Sequence, residues 1–147
     1  MVCTNDTVGE DCRYDIHPRN KKPVGDRLAY LALNRQYGLK NICCNYAEAV
    51  AIQSPGDHQI EALIDNADCG LVNLDRIQGL EVAGEDGVFY PVKAATFNVW
   101  ESRWLRVWSD EVERPVTLRY CWGDFVPGNL RTVFGQALAP FSLTVTD

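Results

Sequence analysis

Apolar positions recur along this chain at two different periods, and the change from one to the other divides it. Val24, Leu28, Leu31 and Ala32 follow helical spacing, with Tyr30 and Leu33 beside them. Asn20 can cap such a helix, and Pro23 sits in a first turn where its missing N–H does no harm. Gly38 after Tyr37 is a natural stop. The spacing therefore predicts an amphipathic helix over residues 20–37. Ahead of it, Met1-Val2-Cys3-Thr4 is rich in strand formers and ends at the turn residues Asn5-Asp6. A polar loop from Thr7 to Arg19 joins the two.

From Tyr46 onward the pattern becomes a series of short β runs. Residues 47–52, 58–64, 80–82, 88–92, 97–100, 103–108, 116–122 and 141–145 are the candidates. Turn signals punctuate them: Ser54-Pro55-Gly56-Asp57, Asp68-Cys69-Gly70, Gly84-Glu85-Asp86-Gly87 and Pro127-Gly128-Asn129. Short strands with regular turns read as an antiparallel sandwich. Trp100, Trp104 and Trp108 are four apart, which also suits a helix face, but the alternation against Leu105 and Val107 and the nearby valines favour a strand. Three close tryptophans can form a sugar-stacking platform. A core or interdomain role is the commoner fate of such residues.

The fold class predicted is thus α+β: strand, loop and helix over residues 1–45, then an antiparallel β-sandwich-like domain over residues 46–147. One strand and one helix do not make a domain, because the strand would leave its edges unpaired and the helix its apolar face uncovered. The first 45 residues are expected to belong to something larger.

Composition narrows the function. The 147 residues carry 14 Lys plus Arg against 20 Asp plus Glu, a net charge of −6. The densest basic run, Arg19-Asn20-Lys21-Lys22, is too short to hold nucleic acid. No apolar run is long enough for a membrane helix. Met1-Val2 leads into polar residues without the apolar stretch of a signal peptide. Six cysteines fit no zinc spacing and are expected to be mostly buried thiols. No metal and no cofactor is expected.

His17 is the foremost candidate for chemistry. It lies in the loop between the predicted strand and helix, where α/β proteins place catalytic residues. Asp15 stands two residues earlier, Asp11 and Asp6 further back. A carboxylate on one imidazole nitrogen fixes the tautomer and frees the other as a base. A surface histidine beside a helix start is the plainer alternative. His58 reads as an exposed turn residue. Glu81, Glu85 and Asp86 read as a solvated hairpin. None of Ser54, Ser102, Ser109 and Ser142 sits in a nucleophile elbow. Cys12, five positions from His17, has no oxyanion loop beside it.

The segment Asp15-Ile16-His17-Pro18-Arg19-Asn20-Lys21-Lys22-Pro23-Val24-Gly25-Asp26-Arg27-Leu28-Ala29 resembles the histidine block of sialate O-acetylesterases, carbohydrate esterases of the SGNH hydrolase superfamily. Gly79-Leu80-Glu81-Val82-Ala83-Gly84-Glu85-Asp86-Gly87 and Pro115-Val116-Thr117-Leu118-Arg119-Tyr120-Cys121-Trp122 are similar to two later blocks of that family, in the same order.

The resemblance implies that residues 1–45 are the last strand, loop and helix of an α/β SGNH hydrolase domain. It implies that the chain is the C-terminal part of an esterase whose serine lies upstream. The reaction implied is removal of O-acetyl groups from sialic acids or related acetylated glycans. His17 would be the base and Asp15 or Asp6 its acid partner. Many SGNH hydrolases carry Asp three residues before His, where this chain has Tyr14. Alone, the chain is expected to be inactive. The implied partners are the acetylated glycan and the missing N-terminal part of the esterase, with no nucleic acid and no membrane. The implied compartment is periplasmic or extracellular. The alternative is a non-catalytic β-sandwich carbohydrate-binding or interaction module.

Overall fold

In a computed structural model, residues 1–9, 13–15, 17–100 and 102–146 are described. They form one helix, α1 (Lys22–Arg35), and ten short strands. In chain order these are β1 (Glu48–Gly56), β2 (Gln59–Asp65), β3 (Leu71–Val72), β4 (Leu80–Ala83), β5 (Phe89–Pro91), β6 (Thr96–Phe97), β7 (Trp104–Trp108), β8 (Thr117–Tyr120), β9 (Arg131–Thr132) and β10 (Phe141–Thr144).

The strands make two four-stranded sheets, ordered β1-β2-β7-β6 and β10-β8-β4-β5, and a small β3-β9 pair. Every pairing between these strands is antiparallel. The inner faces enclose one core. Ile60, Ile64, Leu105 and Val107 come from the first sheet; Leu80, Val82, Leu118, Tyr120 and Phe141 come from the second. Leu130 and Leu138 are buried in the same core. Alternation explains the layering: β7 reads Trp104 and Arg106 outward, Leu105 and Val107 inward.

The structure overturns the expected α+β organisation, in which the end of an α/β SGNH domain precedes a sandwich. The architecture is mainly β, with one helix. Residues 1–4 form no strand. A strand former needs a neighbour's edge, and here the main chain is used otherwise. Cys3 O accepts from Arg27, and Thr4 O accepts from the amide and hydroxyl of Thr7. Among the described residues no parallel pair of strands flanks α1, so they hold no crossover unit of the kind an α/β domain is built from.

The helix also faces differently from its pattern. Its single buried residue is Arg27, while Leu28 stays 51% exposed. The ends lie two residues inside the 20–37 expectation. Asn20 Oδ1 does accept from the Lys22 amide at 3.1 Å. Gly38, at φ +74°, turns the chain after the last helical turn.

Candidate functional site

The site is built around the start of α1. Asp15 Oδ1 accepts the main-chain N–H of His17 at 3.0 Å, an Asx-type turn that fixes the loop locally. Lys21 Nζ donates to Pro18 O at 2.5 Å. His17 itself is exposed. Asp15 and His17 are thus brought together, but through the backbone of the histidine and not through its ring. Among the described residues the ring makes no hydrogen bond. Cys12 and Asp11 lie outside the described residues.

Asp6 sits elsewhere. Its two oxygens accept from Arg27 Nη1 at 2.7 Å and Nη2 at 2.6 Å, and both side chains are 2% exposed. Arg27 also donates to Cys3 O at 2.9 Å and twice to Gly135 O, at 3.0 Å and 2.7 Å. All five guanidinium donors are therefore used. This fork ties together the N-terminal segment, the helix and the turn after β9.

The sequence carries a signal for this fork. Val24, Arg27, Leu28 and Leu31 occupy positions i, i+3, i+4 and i+7 of one stripe. An arginine inside an apolar stripe needs an internal partner, and an aspartate 21 residues away supplies it.

Next to the fork is a thiol cluster. Cys3 Sγ donates to Asn5 Oδ1 at 3.0 Å, and Asn5 Nδ2 reaches Cys121 Sγ at 3.4 Å. Burial pushes both thiols above their ordinary range, against the lowering effect of the Asn5 hydrogen bonds. Such thiols are protonated and poor nucleophiles at neutral pH. Cys44 and Cys121 are buried, as expected for most of the cysteines, but Cys43 and Cys69 are exposed.

A groove of about 700 Å³ runs between α1 and the β region, lined by Met1, Leu28, Leu31, Arg35, Tyr46 and Asn66 among others. His17 does not line it.

His58 and the tryptophans complete the picture. His58 forms the β1–β2 turn at φ +62°, half-buried, and stacks on Trp108. Trp100 is 93% exposed and lies beyond the two-residue β6, so the expected strand over 97–100 is shorter than its pattern.

No family model matches the chain, and no curated protein does. A solved structure does. The fold is similar to that of XAC1771, described as a novel carbohydrate acetylesterase from Xanthomonas citri. The TM-score is 0.74 at 28% sequence identity, over 90% of this chain. The chain spans only 30% of the length of that enzyme.

Proposed function

We propose that this chain is part of a carbohydrate esterase and supplies the histidine of its active site. The observation that carries the reading is the likeness to the Xanthomonas citri acetylesterase over 90% of the chain. That match spans 30% of that enzyme's length, which supports a reading in which the remaining machinery, including a nucleophilic serine, belongs to a part of the esterase other than these residues.

In the proposed reaction the serine hydroxyl attacks the carbonyl carbon of an acetyl ester while His17 takes its proton. The sugar oxygen leaves with that proton. Water, deprotonated by His17, then attacks the acetyl-serine, releasing acetate and the free serine. The tetrahedral oxyanion needs donors that also come from outside the chain.

Asp15 is assigned as the acid partner. One of its oxygens holds the His17 amide, which supports a carboxylate stationed on the same turn as the histidine. Asp6 is assigned as a positioning residue, because both its oxygens are committed to Arg27. O-acetylated sialic acids are the proposed substrates, on the strength of the three sequence blocks.

The test is a graft of this chain into the Xanthomonas citri enzyme in place of the segment it matches. Released acetate is measured on O-acetylated sialic acid and on acetylated xylan. The reading expects acetate from the graft, none from the isolated chain, and preference for the sialic acid. A folded but inactive graft contradicts the esterase reading. Preference for xylan contradicts the sialate assignment alone.

A further inference from the structure

On the outer face of the β1-β2-β7-β6 sheet, one cross-strand row joins all four strands. Gln53 pairs with Glu61, Glu61 with Arg106, and Arg106 with Thr96. The row is held by its own side chains. Gln53 Nε2 donates to one oxygen of Glu61 at 2.5 Å, and Arg106 Nε donates to the other at 2.7 Å. Glu61 is buried beneath them. Among the described residues, the two terminal amino groups of Arg106 donate to nothing. The Arg106 side chain is 51% exposed, so this pair of donors is open to a ligand.

Two tryptophans flank the row on the same strand face. Trp104 and Trp108 are four residues apart on β7, about 13 Å along an extended chain. Trp108 is 55% exposed and yet fixed in place. Its ring stacks on His58, with centroids 5.4 Å apart at 26°, and its Nε1–H donates to Asp110 Oδ1 at 2.9 Å. His58 is in turn held by its Nδ1 contact with Ser109 O at 2.9 Å and by its amide on Glu113 O at 2.6 Å. Beside Trp108 lies an open groove of about 420 Å³, lined among others by Gln59, Ala95, Thr96 and Arg106. That volume lies in the range of small-ligand sites, roughly 300–1,000 Å³.

We infer that this face binds a carbohydrate chain, with Trp108 as the stacking platform and Arg106 and Gln59 as hydroxyl or carboxylate partners. The chemistry matches on both counts. A pyranose offers a C–H face to an aromatic ring and a rim of hydroxyls to fixed donors. A protein partner would favour a contiguous apolar patch, and here charged and amide groups separate the two rings. Because the ring and the guanidinium are already held, binding costs little ordering of side chains. The inference does not rest on His17 or on any nucleophile, and it concerns the opposite kind of site: one that retains glycan without reacting with it.

The test is affinity electrophoresis of the 147-residue chain through gels containing xylan, polygalacturonate or mucin. We expect retardation in at least one gel. Trp108→Ala should weaken it about tenfold, as loss of one aromatic stacking contact implies. Trp108→Phe should retain most of it, and Arg106→Lys should weaken it by removing the fork. Retardation by polygalacturonate or mucin alone would make the ligand acidic; retardation by xylan would make it neutral. Unchanged migration in all three gels overturns the inference, as does retardation that Trp108→Ala leaves intact. Because Trp108 is on the surface, an unaltered thermal melt of its variants shows that the readout is binding and not folding. Loss of acetate release in the graft experiment would leave this result untouched, so the two readings fail separately.

Discussion

Asp6 and Arg27 meet as two parallel hydrogen bonds, 2.7 Å and 2.6 Å long, in a site where both side chains are almost fully buried. The pair is the hinge pin of the N-terminal third. Removing one partner strands the other charge away from water. Asp6→Ala and Arg27→Ala should therefore each cost about 3–5 kcal/mol. Arg27→Lys should recover little, since an ammonium cannot serve five acceptor contacts in one plane. Urea unfolding of the three variants checks this.

The same pair shows what the sequence carried and what it did not. Asp6 and Asp15 were equivalent candidates in one dimension, both acidic and both ahead of His17. Their surroundings separate only when a helix residue 21 positions on folds back against Asp6. The longer strands were legible because their alternation survives over several residues, as in β2, β7 and β8. The two-residue strands β3 and β9 carry no period to read. Residues 1–4 looked like a strand, since strand-forming side chains do not reveal whether an edge is available to pair with. The row from Gln53 to Thr96 was not legible. It needs three inter-strand registers to assemble.

Gly128 should not tolerate a side chain. A Cβ there would run into the Tyr120 hydroxyl and Cys121 Sγ. The Tyr120 hydroxyl also accepts the buried Leu130 amide at 2.9 Å. Gly128→Ala should destabilise by forcing these groups apart. Tyr120→Phe should cost about 1–3 kcal/mol by leaving that amide unpaired. Thermal and denaturant unfolding of both variants give the values.

Stability should fall in alkali. Burial raises the pKa of Cys3 and Cys121 from an ordinary value of 9.0, so the folded state holds these protons more tightly than the unfolded chain. Their contribution is whole below the unfolded pKa. It is lost as pH rises from there through the folded values. Burial raises Tyr120 in the same direction. The urea midpoint should be level between pH 7 and 8 and decline above pH 9, and Cys3→Ala with Cys121→Ala should flatten that decline. A midpoint that rises with pH over this window would refute the assignment.

His17 should matter little to folding. Its side chain is exposed and its ring makes no hydrogen bond among the described residues, so His17→Ala should shift stability by no more than about 0.5 kcal/mol. Asp15→Asn should do slightly more, since the amide of His17 loses a charged acceptor.

The most direct measurement is kcat for acetate release by the grafted esterase with His17 and with His17→Ala. If His17 is the general base, the substitution lowers kcat by about 10²-fold or more while the thermal melt stays in place. If the His17→Ala graft releases acetate as fast as the parent graft, His17 is not the base, and the assignment of this chain as the source of the catalytic histidine is wrong.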